Sequence, residues 1–204
     1  MTDSAAFWDR IAPKYAADPV ADVKSYERTL ARTASYLHPS DRVVELGGGT
    51  GTTALKLAPH VAGITVTDVS PGMVRISERR IAEAGAATVR ARVAPAEAPL
   101  PPQSAEAVLG FNLLHLVADP GAVARVAHDA LVPGGHFITK TFCFEGRWLA
   151  LWPIARVMGA LGRWPAVRFF PACWLEAEIA RAGFEIVETD NHPWPRRFLV
   201  ARKV

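Results

Sequence analysis

Two carboxylates and a run of glycines are the residues of this 204-residue chain best suited to holding a ligand. Glu45 leads into Leu46-Gly47-Gly48-Gly49-Thr50-Gly51, and Asp68 closes the next apolar run, Ile64-Thr-Val-Thr-Asp68. Glycines in such a loop permit a tight turn with positive φ and let a ligand lie against bare backbone. A carboxylate just ahead of them suits a ligand with an ammonium group and would repel a pyrophosphate. The two oxygens of Asp68 can accept from both hydroxyls of a ribose. Loop and acids together fit an adenosyl ligand that carries an amino acid.

The spacing sets this loop apart from its relatives. A dinucleotide fingerprint, G-x-G-x-x-G, would need glycine where Thr52 stands, and a phosphate-cradling loop would need a lysine that is absent. A nicotinamide-dependent oxidoreductase is therefore the disfavoured enzymatic alternative, and a cofactor-binding module without turnover is the non-enzymatic one. The plain readings beside these are a turn of glycines without a ligand, and an acid at a helix start favoured by the macrodipole.

The elements that must position these residues alternate. Residues 4–37 read as two helices, the second opened by Asp18-Pro19 as cap and first helical proline. Strands are expected at 42–46, 64–68, 88–93, 107–111 and 136–142. Helices are expected at 53–58, from Pro71 to about Ala84 with Gly85 as its stop, and from Pro120 to near Leu131. Pro133-Gly134-Gly135 is read as the turn into the fifth strand. After Phe142 the rhythm breaks at an apolar, tryptophan-rich segment, 145–171, before a last helix (174–182) and closing strands at 184–188 and 198–203. Strand–helix alternation implies βαβ units and a largely parallel sheet with helices on both faces. The whole of 1–204 reads as a single domain, with 1–38 forming N-terminal lid helices and 145–171 an apolar insertion near the acceptor.

Several ordered motifs then converge. Val43-Val-Glu-Leu-Gly-Gly-Gly-Thr-Gly-Thr52 resembles the first motif of class I S-adenosylmethionine-dependent methyltransferases, and Asp68-Val-Ser-Pro-Gly-Met-Val74 their second. Ala96-Glu97 with Leu100-Pro101 and Ser104 is similar to the third, and Leu131-Val-Pro-Gly-Gly135 to the turn before their fifth strand. The likeness spans about 7–143 and resumes at Ala182-Gly-Phe-Glu-Ile-Val187 and Arg197-Phe-Leu-Val-Ala-Arg202. It points to the small-molecule branch that includes quinone-biosynthesis and phospholipid N-methyltransferases. It implies a Rossmann-like, doubly wound, seven-stranded sheet with the last strand antiparallel, and S-adenosyl-L-methionine as cofactor with S-adenosyl-L-homocysteine as product. It also implies roles: Glu45, Gly47, Gly48, Gly49 and Gly51 near the methionyl part, Asp68 on the ribose, Val69 and Met73 against the adenine. Asn112 joins these cofactor contacts at the end of the fourth strand, and Tyr15, in Phe7-Trp-Asp-Arg-Ile-Ala-Pro-Lys-Tyr15, matches an aromatic that folds over the methionine end. One departure stands out: Pro95 occupies the place of an acid that contacts the adenine amine, leaving Ala96 and Glu97 to supply backbone contacts.

The acceptor end is less explicit. Methyl transfer asks for an in-line approach, exclusion of water and sometimes a base. The fourth strand ends Phe111-Asn-Leu-Leu-His115, which lacks the Asn-Pro-Pro-aromatic arrangement of enzymes that methylate nucleobase amines, and Asn112 offers no acid to a metal. No metal site is expected. His115 stands where a base or substrate contact would, or as a packed structural histidine, and Tyr15 is the other candidate at this end. In 145–171, Trp148, Trp152 and Trp164 accompany a short helix opened by Pro153 and closed by Gly162, with Ile154, Val157, Met158 and Leu161 as its apolar side. Arg147, Arg156, Arg163 and Arg168 outnumber Glu145. That composition suits an interfacial helix touching membrane lipid and equally a lid packed on its own domain. Half the residues are hydrophobic, 21% are charged and the net charge is +3, a globular balance without a nucleic-acid patch. Cys143 and Cys173 are expected to be small buried residues. With no basic start followed by an apolar run, and no apolar stretch of bilayer length, a cytoplasmic protein acting on a small-molecule or lipid acceptor is the expectation.

Overall fold

Alternate residues of the central strands are apolar on both sides, so the sheet can be stable only between two layers of helix. Ala107, Leu109, Ile138, Phe198 and Val200 face one layer, where Ala54 and Leu57 meet them. Val108, Phe137, Leu199 and Ala201 face the other, against Val123, Ala127, Leu175 and Ile179. The computed structural model describes residues 3–144, 146–191 and 195–204, without the side chains of Asp3, Arg147 and Trp148. Glu145 and the side chains of Arg147 and Trp148, all named above, thus lie outside the described residues.

The order is α1 (Asp3–Ala17), α2 (Val23–Ala34), β1 (Arg42–Leu46), α3 (Thr52–Leu57), β2 (Gly63–Asp68), α4 (Pro71–Glu83), β3 (Val89–Val93), β4 (Ala105–Phe111), α5 (Pro120–Ala130), β5 (Leu131–Phe142), α6 (Trp152–Ala160), α7 (Ala172–Arg181), β6 (Phe184–Asn191) and β7 (Arg196–Lys203). Short 3-10 turns follow α3 and precede α6. The seven strands lie in the order β3-β2-β1-β4-β5-β7-β6. β1 to β5 pair in parallel, and β7 runs antiparallel to both β5 and β6. This is the expected seven-stranded, mostly parallel sheet with its last strand reversed. Strand order turns back on itself between β1 and β4, and the crevice outside their carboxyl ends is where open α/β sheets bind ligands.

Local chemistry moves some boundaries. α2 starts at Val23, not Pro19: Asp22 Oδ1 accepts from Ser25 N–H at 3.0 Å as the true cap. Asp18 instead finishes α1, its N–H donating to Lys14 C=O at 3.0 Å and its carboxylate pairing with Lys14 Nζ at 2.6 Å. β5 already pairs at Leu131, opposite Ala105, before a register shift that brings Ala107 opposite His136. The Pro133-Gly134-Gly135 turn is therefore a bulge inside the strand, with Gly134 at φ +79°. Pro71 and Pro120 open α4 and α5 as expected, Ser70 capping the former through Met73 N–H at 3.1 Å. Cys143 is buried and Cys173 exposed, so only the first is the packed residue expected.

Replacing Asp22 by Ala should lower stability by about 1 kcal/mol, whereas Asp18→Ala, which removes an exposed helical ion pair, should leave the denaturant midpoint close to the parent's. Urea titrations of the two variants check the reassignment.

Candidate functional site

The loop after β1 is held by backbone geometry and by one carboxylate from the neighbouring strand. Gly49 sits at φ +56° and Gly51 at φ +74°, a region that favours glycine. At Gly51 a side chain would also run into the Ser77 hydroxyl of α4. At Gly49 the nearest atom to a Cβ would be Tyr15 Cε1, 3.9 Å away, so this glycine's bare face opens beneath the tyrosine ring. Asp68 is 9% exposed. Its Oδ2 accepts from Gly49 N–H at 3.0 Å and its Oδ1 from Ser70 N–H at 2.9 Å. Burial pushes its carboxyl upward and those two N–H groups pull it back.

Glu45 is the more exposed to electrostatic stress. It is 2% exposed, and its Oε2 has no hydrogen-bond partner. Burial, opposed by the Ala54 N–H and helped by the charge of Asp68, pushes its carboxyl up to about 8. A buried, half-satisfied carboxylate costs free energy unless a cation or donor comes to it. Beyond the Ala54 N–H the described residues bring none, and a ligand ammonium would complete it. Beside an open glycine backbone, that donor set suits a zwitterionic amino-acid moiety. The residues present fit the cofactor that the motifs imply.

Two residues the sequence reading did not single out tie the N-terminal helices to this loop. Asp9 of α1 takes the Ser70 hydroxyl at 2.8 Å and the Gly72 N–H, so α1 lies across the start of α4. Those bonds, Gly72 first, hold its carboxyl below the usual range. Asp9 shares a helical face with Ala5 and Ala12, which the structure buries to 3% and 1% exposure, and no sequence motif marks it. Arg80 of α4 donates to Thr50 Oγ1 at 2.8 Å, Thr52 Oγ1 at 2.7 Å and the Ala16 carbonyl at 2.7 Å. Nothing in the spacing announces Arg80. Tyr15 meets Trp8 edge-on at 6.1 Å. Half of Tyr15 is open to solvent, yet desolvation, then Asp68 and Glu45, raise its hydroxyl.

Other candidates fall into place less directly. Met73 is buried and Val69 half-buried at the start of α4. Ala96 is buried in the cluster with Leu46 and Leu114, a packing position, while Glu97 is half-buried in the turn after β3. Asn112 is exposed at φ +52°, its N–H on the Lys140 carbonyl at 2.6 Å. His115 is 6% exposed and its Nδ1 has no partner among the described residues. Its ring meets Phe142 at 5.1 Å and Phe144 at 6.4 Å, and its carbonyl accepts Arg168 N–H at 2.8 Å. Desolvation, then Arg196, hold its imidazole down to about 4. Lys140 is 7% exposed, and its Nζ donates to Ser25 Oγ at 3.0 Å and Thr29 Oγ1 at 2.9 Å on α2. A cavity of about 240 Å³ behind α6, lined by Ala155, Arg156, Gly159, Val167 and Phe169, shares no residue with the loop.

Known proteins resemble this chain in sequence and in fold. The family model described as "Methyltransferase domain" matches residues 20–189. A ubiquinone biosynthesis O-methyltransferase from Azorhizobium caulinodans is 28% identical over 204 residues, covering 90% of this chain and 78% of its own length. A highly reducing polyketide synthase from Purpureocillium lilacinum is 26% identical over 159 residues, 71% of this chain, and the chain spans only 6% of that protein's length. Among solved structures, an S-adenosylmethionine-dependent methyltransferase from Mesorhizobium loti superposes with a TM-score of 0.75 at 17% identity, covering 89% of this chain and 99% of that one; at that identity it speaks for the fold alone. With a methyltransferase-domain model spanning most of its length, and the glycine loop, paired acids and reversed last strand in register, the chain belongs to the class I S-adenosylmethionine-dependent methyltransferases.

Proposed function

We propose that the protein transfers the methyl group of S-adenosylmethionine to a small lipophilic acceptor. The observation that carries this reading is the orphaned oxygen of the buried Glu45 carboxylate, packed against Gly48 in the same loop whose Gly49 opens beneath Tyr15. The cofactor supplies an electrophilic methyl on its sulfonium. The chain's part is to bind, orient and keep water out. In this reading Glu45 takes the methionyl ammonium, Gly47 to Gly51 offer bare backbone, and Asp68 accepts from the ribose with the lone pairs its two N–H donors leave free. Val69 and Met73 flank the adenine, with Ala96 and Glu97 nearby, and Tyr15 covers the methionine end.

On the acceptor side, Phe142, Phe144 and the His115 ring form an aromatic group, and Phe169 stacks on Phe144 at 4.3 Å. An apolar wall with one unpaired imidazole nitrogen suits an apolar acceptor bearing a hydroxyl or similar donor. The quinone pathway named for the Azorhizobium relative supports the same class. His115 acts here as a neutral contact and not as the base. An imidazole held down to about 4 is a weak proton acceptor at neutral pH, far from the match that general-base catalysis needs.

Three measurements test the reading. Calorimetry should show binding of S-adenosylmethionine or its demethylated product and none of NAD. In the same assay Asp68→Ala forfeits hydrogen bonds to a charged group worth roughly 1.5–3 kcal/mol, a loss of about 10- to 150-fold in affinity; parent-like binding by this variant would mean the site is misassigned. Glu45, pushed up to about 8, is mostly protonated in the free protein at pH 7. An arriving ammonium favours its ionised form, so binding should release close to one proton, read from the dependence of binding enthalpy on buffer. Glu45→Gln should abolish that release. His115, held down from 6.5 to about 4, contributes stability that is complete above 6.5 and is lost as pH falls through the folded value. The parent should therefore lose stability relative to His115→Phe as pH drops from 6.5 to 4, and a His115 NMR titration with an ordinary midpoint would refute its neutral role.

A further inference from the structure

α6 is packed the wrong way round for a helix of an ordinary domain. Its small residues take the inner side: Ala155 is 9% exposed and Gly159 is half-buried. Ile154, Val157 and Leu161 are 51%, 59% and 63% exposed. Positions i, i+3 and i+7 lie on one helical face, and a large apolar stripe at that spacing normally turns to the core. Here it turns outward. Leu149 and Trp164, at 52% and 43% exposed, add apolar surface on the flanking turns, while Trp152, 47% exposed, stands on the Arg156 side of the helix.

The segment's charge is predominantly of one sign. Residues 145–171 contain four arginines against a single acid, Glu145. Arg156 and Arg163 are both exposed, and the Arg156 guanidinium stands 5.1 Å over the Trp152 ring. Long cationic side chains that rise along an apolar surface keep their heads at the polar boundary while the stem stays in contact with it. Tryptophan favours the same boundary, where an apolar ring meets a wet edge.

The segment is also tied down, so the stripe is presented and not merely loose. Arg168 N–H and guanidinium hold the His115 and Ala118 carbonyls, and the Arg10 guanidinium of α1 holds the Gly162 carbonyl. Both anchors lead back to the acceptor end of the site.

We propose that this face seats the protein on an anionic lipid bilayer, with Ile154, Val157 and Leu161 in the acyl boundary and Arg156 and Arg163 among the headgroup phosphates. The charge favours that occupant over a second copy of the chain, since a two-fold contact through this face would set arginines against arginines. The inference rests on the proposed acceptor only for its purpose, which is to take a lipophilic molecule from the bilayer; the binding itself is measured separately.

Flotation of the full chain with vesicles of phosphatidylcholine alone, and of phosphatidylcholine with phosphatidylglycerol, tests it. The protein should rise with the anionic vesicles and largely stay behind with the neutral ones. Arg156→Gln and Arg163→Gln should each weaken partitioning by about fivefold, and the double variant Val157→Glu/Leu161→Glu should abolish it. Calorimetry on every variant should return the parent's affinity for S-adenosylmethionine, which certifies folding. Absence of flotation with anionic vesicles, or undiminished flotation of the glutamate variant, overturns the proposal. So does sedimentation showing a dimer that the glutamate variant dissolves. Flotation as expected from a protein that binds no S-adenosylmethionine would instead sink the methyltransfer reading and leave this one standing.

Discussion

The Asp68 carboxylate holds together two loops that belong to different strands. One oxygen accepts the N–H of Gly49, in the turn after β1, and the other the N–H of Ser70, at the start of α4. Burying a carboxylate is unfavourable unless donors meet it, and these two backbone groups are what make Asp68 tolerable at the sheet's edge. Much else follows from the pairing. With Gly49 fixed, its open face lies under Tyr15; with Ser70 fixed, its hydroxyl reaches Asp9 and α1 is laid across α4. Arg80 closes the circuit by gripping Thr50, Thr52 and Ala16 together. The face of the glycine loop is thus assembled from four chain segments around one anion.

Charge is distributed unevenly across the switch point. The glycine-loop side carries Glu45 and Asp68, both raised chiefly by burial. Towards the other end stand Arg196, 4.5 Å over the Phe142 ring, and Lys140, which burial and then Arg196 hold down to about 8. Two hydroxyls, Ser25 and Thr29, carry the lysine's hydrogen bonds. A cation arriving at the acidic half would meet Asp68 and a Glu45 that ionises only as the cation binds, while the half facing the aromatic residues repels further cations.

The alternation of strands and helices was legible because it rests on short-range signals. Ser70-Pro71 and Asp119-Pro120 announce helices by local geometry, and the apolar runs between them have no alternative as buried strands. The errors came where two such signals competed. Asp18-Pro19 is a stronger cap signal than Asp22-Val23, yet Lys14 claims Asp18 for the end of α1, a contact one helical turn away that the capping rule does not weigh. Direction was harder than periodicity. The spacing of Ile154, Val157 and Leu161 reveals a stripe, but which side of α6 meets the domain was settled by Ala155 and Gly159, whose small size lets the helix approach. At the site, Glu45 and Asp68 announced themselves by type and position. Arg80 did not, since its partners come together only through the fold.

β7 lies between β5 and β6, although it follows both along the chain. Seven residue pairs join it to β5, from His136↔Arg202 to Phe142↔Arg196. During synthesis, the β5 edge therefore has no native neighbour on that side until residues 196–203 have left the ribosome. Until then a nascent chain would display an unpaired strand carrying Phe137, Ile138 and Phe142, the kind of edge that recruits foreign strands. The final hairpin acts as a seal on the growing polypeptide, and the hazard of misassembly is concentrated in the moments before it arrives.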